Sequence, residues 1–388
     1  MARSTHSQRL ERWLGAEQVN RISAQFRDFY YPVAVHGVPG NVRVMPGGGF
    51  AGEVMAGEYF SAEDRAAEVM KKILRAAEAK VRRHRALGTL IELIRAGDRR
   101  LASVGAFASI DAVVAAYTGG KGQVINFQKT GVAANAKGNA NDLWSRAGTP
   151  PAGGAGSAAP GGVAPTVATT GALTFANLGA ANSGHYLNWS LSASVINNSL
   201  LLYDRLFAVV KTMNSTATQA VTGVPTRYQN TAAGNVQYIG GNFCFPANPT
   251  TVLAATAHNW TVCTYTDQGG AAGTFPSMTG VSACVVGGVD LSVGNWFMSL
   301  AAADVGVGAL TQMQCSALVA TGTIDFVIGH PIAVNACPIA NLACLDDGLY
   351  TSLNLTPIID SACLSFLEMR KPATTATTYS GILRAVSE

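Results

Sequence analysis

Two hydrophobic periods divide this chain. Over residues 5–29, Leu10, Trp13, Leu14, Ile22 and Phe26 recur at roughly helical spacing among charged residues, which predicts an amphipathic helix ending at Tyr30-Tyr31-Pro32. Residues 37–57 are glycine-rich, and the Gly47-Gly48-Gly49 run predicts a loop or an extended arm. The clearest helical signal begins at Ser61, whose hydroxyl caps while Asp64 stands three residues on, a variant of the capping box. From there to about residue 87, Ala66, Val69, Met70, Ile73, Leu74, Ala77 and Val81 form one apolar stripe. After Gly88 the pattern resumes with Leu90, Ile91 and Ile94. Residues 108–117 predict a short helix closed by Gly119-Gly120, and residues 121–131 a strand.

From about residue 170 the period becomes two. Segments 171–177, 185–195, 199–210, 259–267, 310–319 and 323–332 combine alternating or continuous apolar runs with β-branched and aromatic residues, and turns such as Gln268-Gly269-Gly270 and Thr321-Gly322 separate them. Such a series of short strands predicts a mainly β protein, an antiparallel β-sandwich of jelly-roll type, rather than a parallel α/β sheet. The expected organisation is an N-terminal α-helical arm or subdomain (1–105), a connecting region (106–166) and a sandwich body (167–388). Within the connecting region, residues 147–166 are Gly/Ala/Pro-rich and predict a linker or solvent-exposed loop.

Charge sharpens the division. The first 100 residues hold 17 Lys/Arg and 11 Asp/Glu, a net +6, whereas the remaining 288 hold 10 and 12, a net −2. A body so poor in charge must cover itself with Ser, Thr, Asn, Gln and Gly, or with other copies of itself. Any attraction to an acidic surface belongs to the head. There, Lys71, Lys72, Arg75, Lys80, Arg82, Arg83 and Arg85 flank the apolar stripe. They read as the solvated face of an amphipathic helix, with Glu68 and Glu78 as partners one turn away. Docking onto an acidic protein and contact with nucleic acid are the two functional alternatives, the second weakened by the absence of interleaved aromatics.

Chemistry is sparse. The seven cysteines (244, 263, 284, 315, 337, 344 and 363) are odd in number, lack a CxxC pair and sit in strand-like apolar runs, so reduced, buried thiols are expected. The N-terminus has no signal-peptide core, and the longest apolar stretches are interrupted by polar residues, so no membrane span is expected. Tyr117-Thr118-Gly119-Gly120-Lys121-Gly122 lacks the spacing of a phosphate loop and reads as a helix-ending turn. His6, His36, His84, His185, His258 and His330 are scattered without metal-ligand spacing. Asp346-Asp347-Gly348 reads as a solvated turn rather than a calcium loop. There is no nucleophile elbow. No catalytic residue, cofactor or metal is expected; an enzyme would need Asp204, Asp325, His258 or His330 to gather in one cleft.

Several segments carry a resemblance: GGKGQVINFQKTG, NDLWSRAGTPPAGGAG, TTGALTFAN, LLLYDRLF and HNWTVCTYTDQGGAAGTFP. Over roughly residues 110–388 they resemble a group of tailed-bacteriophage virion proteins with a "YDRL" strand, here Leu202 to Leu206, and a "YTNQ.G" hairpin, here Tyr265 to Gly269 with Asp267 in place of Asn. The resemblance implies a shell-associated structural protein, either a coat subunit or a decoration protein, located in the virion. Its partners would be copies of itself and other capsid proteins. An HK97-type major coat subunit, with residues 61–96 as its long helix, is one alternative. A tail-associated receptor- or carbohydrate-binding sandwich is the other. The expected assembly interface is the stripe Val69, Met70, Ile73, Leu74 and Val81, with Lys71, Lys72, Arg75, Arg82, Arg83 and Arg85 as the electrostatic contact.

Overall fold

The structure is a computed structural model that describes residues 107, 109–133, 135–136, 138–196, 198–228, 241–347, 355–369 and 375–388. The helices expected within residues 5–29 and 61–87, and with them the apolar stripe and the basic run, lie outside the described residues. Everything described belongs to one of the chain's two compact units, Arg83–Glu388.

Helix α1 (Ile110–Ala116) starts where Ser109 Oγ accepts a hydrogen bond from the Ala112 amide at 3.1 Å. It runs into a single π-helical turn, Tyr117–Lys121, in which Gly120 takes φ +89°, so the Gly-Gly-Lys-Gly segment is a helix-ending turn. Strand β1 (Gly122–Thr130) follows and alternates buried with exposed residues from Val124 onward.

Seventeen strands among the described residues, numbered in chain order, pair antiparallel. The first sheet runs β14 (Cys344–Asp347), β4 (Gly184–Ala193), β17 (Thr378–Ser387), β1, β3 (Gly148–Thr149), with β15 (Pro357–Ile358) also on β4. A five-stranded sheet runs β2 (Asn141–Asp142), β16 (Leu364–Glu368), β5 (Asn198–Thr212), β13 (Thr323–Cys337), β7 (Phe243–Ala247). A four-stranded sheet runs β10 (Ala272–Phe275), β9 (Cys263–Asp267), β12 (Val307–Met313), β6 (Gln219–Ala220), and β8 (Asn259–Trp260) pairs with β11 (Met278–Thr279).

The body is mainly β and antiparallel, as the period of two predicts, but its layering differs from a two-sheet sandwich. One face of the five-stranded sheet packs on the six-stranded one through Leu202, Ile332 and Phe366 against Phe127, Trp189 and Leu383. The Phe127 and Phe366 rings lie 4.5 Å apart. Its other face contributes Phe207, Val209, Phe326 and Ile328 to a second core with Trp260, Tyr265, Phe275 and Leu310. The five-stranded sheet is thus a central layer buried on both sides. This is why 199–210 and 323–332 read as continuous rather than alternating apolar runs. Pro331, inside a 15-residue central strand, is accommodated at one of two register shifts between β13 and β5.

The Gly/Ala/Pro segment is a largely exposed loop, the second of the two expected readings, but it is pinned to the sheet and is not a free linker. Ser157 and Val163 bridge to Val209 and Ala208 of β5, and Trp144 Nε1 donates to the Gly154 carbonyl at 2.7 Å. A Cβ on Gly156 would stand 2.5 Å from Asp325 Oδ1, and one on Gly162, at φ +57°, would stand 2.3 Å from the Phe207 ring. At these glycines the chain lies too close to the sheet for a side chain, whereas Gly154 and Gly161 face open space. Since β1 is paired on both sides, by β17 and β3, the β body begins well before residue 167.

Candidate functional site

The Tyr203-Asp204-Arg205 motif lies in the middle of β5 and is entirely buried. Arg205 bridges two neighbouring elements: Nη1 donates to Asp142 Oδ2 at 2.8 Å and Nη2 to Asp325 Oδ2 at 2.7 Å. Its guanidinium carbon sits 5.0 Å from the centre of a Trp144 ring. Tyr203 OH donates to Asp142 Oδ1 at 3.1 Å, and the Gly156 amide donates to Asp325 at 3.2 Å. Burial pushes Asp325 up to about 6, with Arg205 opposing that rise. Asp204 accepts a bidentate pair from Arg227, Nε at 2.8 Å and Nη2 at 2.7 Å, and a third hydrogen bond from the Cys363 amide at 2.8 Å. A buried charge survives only with such partners. Sequence reading did not find Asp142 or Arg227, because each lies far from its partner in the chain, with no local spacing to betray it.

The second motif is a hairpin held the same way. Asp267 Oδ1 accepts from the Ala271 amide at 2.8 Å and closes the turn between β9 and β10. Gln268 is buried, accepting from the Asn242 amide at 3.2 Å and donating to the Tyr228 carbonyl at 3.2 Å. Asn242 Oδ1 in turn meets His330 Nδ1 at 2.8 Å, and the His330 ring stacks on Tyr228 with centroids 3.9 Å apart. Burial lowers His330 to about 3, which keeps the imidazole neutral.

The residues that an enzymatic reading would need are each tied to a partner of their own. His258 Nε2 meets Asp290 Oδ2 at 2.9 Å and its Nδ1 meets the Thr256 carbonyl at 3.0 Å. Asp290 also takes the Trp260 indole N–H and, at 2.6 Å, the Val281 amide. Burial opposes the charged imidazole, but Asp290 and the Thr256 carbonyl outweigh it and raise His258 above its usual value. Asp204 and His330 are register partners, yet they hold different groups, and Asp325 is engaged with Arg205. Among the described residues, no group of three or more His, Cys, Asp or Glu is arranged to hold a metal ion. All seven cysteines are unpaired, six of them buried and Cys344 half-buried.

The charge network has a counterpart on the surface. Nine of the described charged residues are buried: Lys129, Asp142, Asp204, Arg205, Lys211, Arg227, Asp290, Asp325 and Glu368. Meanwhile fifteen large apolar side chains among the described residues are exposed, all of them Ile, Leu or Val, with Leu345 at 61% and Val124 at 51%. The protein hides charge and shows hydrocarbon. Among the described residues, no helix is long and apolar enough to cross a membrane.

No known family matches the chain, and no curated protein matches it. Among solved structures, it aligns with the infectious bursal disease virus Gt strain at 10% identity, covering 69% of this chain and 81% of that one, with a TM-score of 0.14. The VP2 subviral particle of that virus aligns at 11% identity, 69% and 81% coverage and a TM-score of 0.14. The T=1 particles derived from it align at 10%, 69% and 78%, with a TM-score of 0.15. Likenesses of this size carry no argument about fold or function.

Proposed function

We propose that this protein is a non-enzymatic structural subunit of a virus particle, of tailed-bacteriophage type, that builds or decorates the shell by packing with copies of itself. The observation that carries this reading is the charge-poor surface: nine ionic groups buried within the described body and fifteen large aliphatic side chains exposed. An interface that excludes water gains from a surface depleted of charge. In this reading the YDRL and YTDQ motifs hold the three layers in register and need no substrate. The three-layered β body is the element that packs, and the helical arm of residues 1–105 contacts neighbouring capsid proteins or, through its basic run, nucleic acid. A carbohydrate-binding tail module would call for exposed aromatic platforms, and the exposed large apolar residues among those described are all aliphatic.

Electron microscopy and sedimentation of the purified full-length protein test the proposal. Closed shells or uniform oligomers are expected. Body-to-body association should be insensitive to ionic strength, while contacts of the basic arm weaken as the Debye length falls below ~10 Å. A protein that stays monomeric at high concentration would overturn the reading.

A further inference from the structure

The outer face of the six-stranded sheet is the surface on which assembly can be placed. On β1 the outward residues Val124, Asn126 and Gln128 are exposed. Register then lays Asn126, Ile382, Ser190 and Leu345 in one row across β1, β17, β4 and β14. Ile382 and Ser190, in the middle of the sheet, are only half-covered, and Leu345 at its edge is exposed. Among the described outward side chains of these four strands the single charge is Arg384, and its Nη1 donates to Asn188 Oδ1 at 3.1 Å. One end of the face is roofed by α1, which packs Val113 on Leu187 and Val386. The rest is open.

We infer that this open face is a two-fold interface with a second copy of the chain, an inference that rests on the assembly reading above. Charge argues for self-recognition. With Arg384 as the one charge among its described outward side chains, and that one tied to Asn188, the face offers little to steer a basic or acidic partner, while Asn, Gln and Ser both donate and accept and so match themselves. Shape argues the same way. Stacked sheets lie ~10 Å apart, about the diameter of a helix. A two-fold axis through the open part therefore places the two α1 helices at opposite ends, each level with the partner's sheet. The exposed Ile110 and Val114 of α1 are then covered as well. Four strands at ~4.8 Å and about seven open residues at ~3.4 Å give a patch of roughly 450 Å² in projection. With side-chain relief and the α1 flank, this approaches the roughly 800 Å² per partner of a standard interface.

The test uses full-length protein carrying Asn126→Arg with Ser190→Arg, and a second version carrying Asn126→Asp with Ser190→Asp. Each alone should raise the dissociation concentration by about 100-fold or more, because like charges face each other across the axis. An equimolar mixture should restore association, because only an isologous face brings the Arg set of one copy onto the Asp set of the other. Thermal melts confirm folding, and the exposed Asn126 single substitutions serve if the double ones melt early. If the parent assembles and either charged version assembles equally well, or the mixture is not rescued, the surface assignment fails while the proposed function stands. If the parent never associates, both fail.

Discussion

Arg205→Met is the sharpest probe of the central layer. The substitution keeps most of the side-chain volume but removes the cation that two buried carboxylates share, with side chains 2%, 5% and 2% exposed for Arg205, Asp142 and Asp325. Removing one partner of a buried pair typically costs about 3–5 kcal/mol, because the survivor is left charged in a poor solvent. The orphaned acids can escape by taking up protons. At pH 7 that costs only ~1.4 kcal/mol for Asp325, which burial has already raised to about 6. The expected loss is a large share of the roughly 5–15 kcal/mol that holds a domain together, or a melting shift on the order of 10 °C. Because protonation relieves it, the deficit should shrink as pH falls, by about 1.4 kcal/mol per unit for each acid that titrates. Urea denaturation of parent and variant at pH 8 and pH 5.5 measures this directly. Adding Asp142→Asn and Asp325→Asn to Arg205→Met should recover much of the loss at pH 8. A deficit under about 1 kcal/mol, or one independent of pH, would show that Arg205 is not the ionic bridge described here.

Three other outcomes follow from the same structure. His258 is raised in the folded state, so its contribution is complete below about pH 6.5 and is lost as pH rises through the raised value. Stability measured from pH 6.5 to 8 should therefore fall, and His258→Gln should flatten that slope. His330, lowered to about 3, acts with the opposite sign below this window, and Lys129, lowered to about 8 by burial, acts above it. Burial raises the thiols of Cys244, Cys263, Cys284, Cys315, Cys337 and Cys363, so native protein should react quickly with a thiol reagent at Cys344 alone and denatured protein at all seven. Fast native labelling of several thiols would contradict the packing. A chain beginning near Val163 should lose cooperative melting because it lacks β1, Phe127 and Asp142, whereas one beginning at Arg83 should retain it; circular dichroism melts decide.

The strand content was legible because side-chain alternation and turn chemistry are local: β1, β4, β5, β9 and β13 each announce themselves in fewer than sixteen residues. The helix-ending turn at Gly119-Gly120 and the burial of most cysteines were legible for the same reason. What the chain could not disclose locally is which strand covers which. The continuous apolar runs of β5 and β13 signal burial on both faces, but the third layer that supplies the second cover lies elsewhere in the sequence. The Gly/Ala/Pro segment shows the limit most clearly. Its composition is that of a linker, yet the absence of a side chain at Gly153, Gly156 and Gly162 is a steric demand set by Trp144, Asp325 and Phe207, residues that the segment itself does not contain. Likewise, the Asp204 and Arg205 of a four-letter motif acquire meaning only when folding brings Arg227, Asp142 and Asp325 within 3 Å of them. Ion pairing depends on distance in space, and in a sheet that distance is decided by strand order, which no single segment encodes.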